Sequence, residues 1–222
     1  MSNQEDDRFV REVSEELRRE RMQNLWSRFG PLVIGAAVAV VLMTAGYQGR
    51  SIYTKKQAAQ NGDQFNAARD LLDEGKTEDG LAALDAIAKD GTPAYSALAR
   101  LRAGNQQASD GNGDAALELF NAVATDGGAP DFLRDFAVLR AGQVMVDSAS
   151  LDAVEAKLQS VAGDDHAFRF AAREAIGLAA YKAGNISDAK AQFEELVADP
   201  QAPGSLTQRG NVMLDVSTSS GQ

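Results

Sequence analysis

The sequence predicts an all-α chain, with a single N-terminal transmembrane helix followed by a helical-repeat solenoid. Three observations lead there. No residue from Phe29 to Gly49 is charged. The rest of the chain is rich in alanine and lacks runs of alternating apolar and polar residues, so helices rather than strands are expected. Finally, Leu101-Arg102-Ala103-Gly104 returns 38 residues later as Leu139-Arg140-Ala141-Gly142, inside a second helical pattern. Recurrence at that spacing is the mark of a stacked repeat.

Residues 1–28 form a charged tail, with six arginines against seven acidic residues. Phe9, Val13 and Leu17 recur every four residues, which gives two readings. One is a helix that docks on a cytoplasmic partner; the other is a solvated helix leading into the membrane.

The apolar segment 29–49 follows. Its 21 residues span about 31 Å as a helix, the thickness of a bilayer's hydrocarbon core. A secretory signal would have a shorter apolar run and a small-residue cleavage site, and a buried surface helix would have one polar face. This segment has neither character. Pro31 falls in the first turn, where its missing N–H does no harm. Trp26 and Phe29 flank one end and Tyr47 and Tyr53 the other, where aromatic rings settle among lipid headgroups. Four arginines close to the span on the tail side, against Arg50, Lys55 and Lys56 beyond it, favour a cytoplasmic N-terminus. The remaining residues would then face the periplasm.

Residues 51–222 hold 15 basic and 25 acidic residues, net −10. Such a domain repels phosphate backbones, so nucleic acid is not an expected partner. The repeat runs through it. Twelve residues after Gly104 stands Ala116, and four further on Phe120. The same interval from Gly142 reaches Val154 and Leu158, and from Gly177 it reaches Ala189 and Phe193. From Ala68 it reaches Gly80 and Leu84, giving four units spaced 36, 38 and 35 residues apart. Gly184-Asn185 supplies a turn that tolerates positive φ, and Asp188 falls in the first turn of the helix after it. Pro93, Pro130 and Pro203 each stand where a first-turn proline would open a helix. The last helix, roughly 205–216, caps the stack, because an end repeat otherwise leaves an apolar face in water. Residues 217–222 read as a disordered polar tail.

These spacings and residue types resemble the tetratricopeptide repeat, which makes residues 50–216 a tetratricopeptide-like solenoid with its capping helix. The resemblance implies that Gly104, Gly142 and Gly177 let a second helix approach closely. It gives Ala116 and Ala189 the matching small position, and Phe120, Leu158 and Phe193 the bulky one. Val154 departs from the small-residue rule, so a looser third unit is expected. With Tyr95-Ser96-Ala97-Leu98-Ala99 and the order of tail, span, repeats and cap, residues 25–216 resemble the YfgM-type family of bacterial inner-membrane proteins. That family is described as ancillary to the SecYEG translocon. The resemblance implies an inner-membrane, chaperone-like adaptor whose partners are translocon subunits or their clients. Other envelope proteins are alternative partners, for a scaffold in envelope assembly or cell division. Contact with the bilayer runs through residues 29–49.

The repeat family's groove is lined by first-helix residues at set offsets from the small residue. Here these are Leu98, Leu101 and Asn105, then Phe136, Leu139 and Gln143, then Glu174, Leu178 and Tyr181. The set is more apolar than charged and suits an apolar segment. Either the face is open for binding, or the capping helix or a preceding unit covers it. Catalysis has little footing. There is no cysteine, and the lone histidine, His166, adjoins an acidic pair, Asp164-Asp165, read as a helix cap beside an exposed ring. A tethered hydrolase using His166 is the alternative of a different class. Asp110-Gly111-Asn112-Gly113-Asp114 lacks the glycine and glutamate of a calcium loop at the required places and reads as an inter-helix turn. No metal or cofactor is expected, and the chain is read as non-enzymatic.

Overall fold

A computed structural model describes residues 40–219 of the chain. Two compact units divide at Lys56, Met1–Lys56 and Gln57–Gln222. The tail helix expected within 1–28 and residues 29–39 of the expected span lie outside the described residues. Within the first unit residues 40–56 are helical, and Val40, Val41, Leu42, Met43, Tyr47, Ile52 and Tyr53 are exposed. Among the described residues no helix is long and apolar enough to cross a membrane.

Nine helices are described: α1 (40–73), α2 (Thr77–Asp90), α3 (Pro93–Ser109), α4 (Gly113–Ala124), α5 (Asp131–Met145), α6 (Leu151–Leu158), α7 (Arg169–Lys182), α8 (Ile186–Ala198) and α9 (Gly204–Ser219). From α2 to α9 each packs on the next, and α3, α5, α7 and α9 also touch in sequence as one layer. The even-numbered helices therefore form the other layer. Four helix pairs, α1–α2 to α7–α8, are followed by the single helix α9.

Three of the four pairs turn in the same way. Gly75, Gly111 and Gly184 have φ of 79°, 80° and 81°. After α1, the Lys76 N–H donates to Leu71 O at 2.9 Å and the Gly75 N–H to Leu72 O at 3.0 Å. Asn112 and Gly111 repeat this on Gln107 and Ala108, as do Asn185 and Gly184 on Ala180 and Tyr181. This is the Schellman closure, which satisfies two orphan carbonyls and needs a left-handed residue between them. The Asp110–Asp114 stretch is thus the α3–α4 turn, 110–112, with the first two residues of α4. The third pair has no such glycine. Its second helix starts instead at Ser150, whose side chain accepts the Ala153 N–H.

Each helix pair meets at a small residue. A Cβ added at Gly104 would lie 2.6 Å from the Phe120 ring, and one at Gly177 would lie 2.9 Å from Phe193. At Gly142 it would overlap Leu158, and at Gly80, here on the second helix, it would come within 2.6 Å of Leu72. Phe120, Leu158, Phe193 and Leu84 are fully buried, as are Ala68, Ala116, Val154 and Ala189. The third unit is not looser at its glycine, despite Val154. It differs in length, α6 being only eight residues. Each core is closed by the first helix of the following unit: Ala137 and Ala141 of α5 join the α3–α4 core, and Ala172, Ala175, Ile176 and Ala179 of α7 join the α5–α6 core. A single pair cannot bury its apolar face alone, which is why the units stack.

Pro93 is the first residue of α3, whereas Pro130 and Pro203 sit one position ahead of α5 and α9. The last helix also runs past the expected 216. Ser217 is fully buried, and the Thr218 and Ser219 hydroxyls donate to Leu214 O and Val216 O at 2.8 Å, which prolongs the helix by satisfying its terminal carbonyls. Of the expected polar tail, only 220–222 fall outside the described residues.

Gly104→Ala tests the close approach. Alanine gains about 1 kcal/mol of helix propensity, but overpacking against an immobile buried ring costs about 1–3 kcal/mol, so a net loss is expected in urea unfolding. Gly113→Ala is the control. Its Cβ would meet only Val144, at 3.6 Å, and stability should be unchanged or slightly raised. Equal behaviour of the two variants would contradict this account of the repeat contact.

Candidate functional site

Helical geometry decides which first-helix residues face outward. Three residues before the glycine a side chain shares the glycine's face, and one residue after it the direction has turned by about 100°. Leu101 and Leu139 are in the first class. Each is only 4% exposed, Leu101 in the core with Phe120 and Leu139 in the core with Leu158. They belong to the helix-pair contacts and not to an open groove, which corrects their reading as binding residues. Asn105, Gln143 and Leu178 are in the second class and are partly exposed.

Phe136 is taken up differently again. Its ring centroid lies 5.8 Å from that of Phe168, which also stacks on Phe132 at 5.2 Å. Leu98 is half-buried away from the cleft described next.

Gln143, Glu174, Leu178 and Tyr181 come together. They line a cleft of about 1160 Å³ between α5, α7 and α9, with Ser205, Gln208, Arg209, Val212 and Met213 of α9 forming the far wall. The expected inner face is therefore partly covered by the capping helix and partly open. It is also more charged than expected, because Arg140, Asp147, Lys182 and Arg209 line it too.

The ion pairs fix α9 and the ends of the cleft. Arg209 holds Glu174 in a two-pronged bond, Nε to Oε1 at 2.5 Å and Nη2 to Oε2 at 2.8 Å. The Glu174 side chain is 11% exposed. The hydrogen bond to Glu174, helped by the charge attraction, holds the Arg209 guanidinium above its ordinary pKa. Lys182 Nζ lies 2.9 Å from Asp147 Oδ1. Arg140 has neutral partners: Nε donates to Asn105 Oδ1 at 2.8 Å and Nη1 to Gln143 Oε1 at 2.7 Å. Burial pushes its pKa below the ordinary value. The Phe120 ring lies 5.8 Å from its Cζ.

His166 is not an exposed ring beside a capping pair. The Phe168 N–H donates to Nδ1 at 3.1 Å, so the proton sits on Nε2, which lies 3.3 Å from Asp135 Oδ2 of α5. Both nitrogens are engaged in tying the α6–α7 loop to α5. Asp164 pairs with Arg173, and no side chain caps α7. Among the described residues no group of three or more metal-ligating side chains converges.

Sequence reading missed Arg140 and the α9 wall. The first had a visible signal, since it stands in the repeated Leu-Arg-Ala-Gly that sets the register of the units. The second had none, because α9 matches no repeat and its docking depends on residues 35 positions away.

Truncating Arg209 to alanine leaves a nearly buried carboxylate without its partner. A loss of about 1–3 kcal/mol is expected, with faster amide exchange in α9 than in α5. Uniform exchange across the solenoid would show that the pair does not hold α9.

A family model described as a tetratricopeptide repeat-like domain matches residues 23–210. No curated protein and no solved structure matches the chain.

Proposed function

Because the chain belongs to the tetratricopeptide repeat-like domain family, whose helical repeats point to protein–protein contact, we propose that it is a membrane-anchored adaptor of the secretion translocon. It contacts translocon subunits or emerging polypeptides in a chaperone-like role, with its solenoid on the periplasmic side of a bacterial inner membrane. The observation that carries this reading is one chain joining 21 uncharged residues, 29–49, to a stack of helix pairs with an open cleft. The exposed apolar side chains of residues 40–53 support it, since a row of this kind suits lipid far better than water. Tethering then confines the solenoid to a thin layer beside the bilayer, which raises its effective concentration toward membrane complexes without any new contact. Proteins of this repeat type work as binders rather than catalysts, which accords with a non-enzymatic role.

A photo-crosslinker placed at Gln143 or Val212, in native membranes, tests it. Recovery of translocon subunits or secretory polypeptides is expected, and deletion of 29–49 should abolish both the adducts and membrane retention. Adducts with cytoplasmic proteins alone would overturn the topology, and unchanged retention after the deletion would overturn the anchor.

A further inference from the structure

Five charged side chains line the cleft between α5, α7 and α9, and four of them cancel in pairs. Glu174 is matched by Arg209, and Lys182 by Asp147. The fifth is Arg140. Among the described residues no carboxylate lies within 4.0 Å of its guanidinium. This is unusual for the domain. Of the eight arginines in 57–222, six pair with a carboxylate. They include Arg102, the equivalent residue one repeat earlier, which reaches Asp73 at 3.6 Å. Arg169, the other exception, lies with its guanidinium 4.0 Å over the Phe170 ring and does not line this cleft.

The setting of Arg140 orients it without neutralising it. Asn105 and Gln143 accept two of its five N–H groups, Phe120 flanks the planar head, and three donors are left over. In a domain of net charge −10 carboxylates are abundant, yet the cation in this cleft has none. The cleft as a whole therefore carries one positive charge, set among apolar walls from Leu178, Val212 and Met213. Its volume of about 1160 Å³ is generous for a small metabolite, for which pockets run to about 1,000 Å³, and suits several residues of a polypeptide. The carboxylates of Glu174 and Asp147 in the lining disfavour a dianion such as phosphate.

We propose that this cleft binds a partner segment carrying a single aspartate or glutamate between apolar side chains, its carboxylate paired in a fork with Arg140. This rests on the protein-binding reading above and names the chemistry of the partner. Complementarity of charge recognises the acid, and the apolar flanks supply burial.

A displayed library of random 12-residue peptides, selected on the full-length chain, provides the probe. Enriched peptides should share one acidic residue flanked by Leu, Val, Phe or Met. Changing that acid to its amide should weaken binding about tenfold or more, as losing a charge-assisted bond does. In Arg140→Gln the acid and amide peptides should bind alike, and Arg140→Lys should keep part of the preference. Should Arg140→Gln melt early, the acid–amide comparison on the native chain and on Arg140→Lys still decides. Enriched peptides that bind equally well as amides would sink this inference and leave the adaptor reading standing. If no peptide is enriched, this inference fails, while the crosslinking above judges the adaptor reading separately. A chain that dimerises through the cleft, losing the dimer in Arg140→Gln with no acid-dependent peptide, overturns it in favour of a second copy as occupant.

Discussion

Everything in the solenoid depends on how closely two helices lie at one point in each unit. At Gly104, Gly142 and Gly177 the first helix presents bare backbone, and the end of a fully buried Phe or Leu from the second helix occupies the space a Cβ would take. That contact fixes the distance between the paired helices. Once the pair is fixed, its remaining apolar edge is fixed too, and the following unit's first helix is what covers it. Interiors at native density transmit such constraints, because no slack is left to absorb a shift. A stack of nearly identical joints follows, each depending on its neighbours alone.

The same geometry separates the residues that build the stack from those that can meet a partner. Rotation along the first helix sends Leu101 and Leu139 into the core and turns Asn105, Gln143 and Leu178 outward. These outward residues line up along one layer, because α3, α5 and α7 lie side by side. At the end of that layer α9 packs across α7 and α8 and turns an exposed strip into a cleft with two walls. The Glu174–Arg209 bond makes this arrangement specific. Removing water from a carboxylate is costly, and the two-pronged guanidinium both offsets the cost and sets the orientation of the capping helix.

The third unit shows how much the repeat tolerates. It lacks the left-handed glycine of the other turns, its second helix is short, and Val154 replaces the small residue, yet Gly142 still meets Leu158. The turn and the length have varied while the close contact has not. The loop that follows is held by contacts of its own: His166 bridges to Asp135, and Phe168 stacks against Phe132 and Phe136. Irregularity in the repeat is compensated by side-chain contacts to α5.

By itself the sequence determined the helical class, the number of units, the register of small and bulky positions and the turns of two pairs, at Gly111 and Gly184. Each of these is a local or periodic property, written into spacings along one chain. The apolar run at 29–49 was equally plain, because twenty-one uncharged residues need no partner to be recognised. Tertiary structure decided what the inner face is. The offsets that mark a groove in the repeat family placed Leu101 and Leu139 together with Asn105 and Gln143, although only one pair of these points away from the core. The sequence likewise held no sign that Glu174 meets an arginine 35 residues later, or that Arg140 meets an amide where Arg102 meets an acid. Charge compensation is a sum over neighbours in space, and neighbours in space are fixed only when the helices have packed.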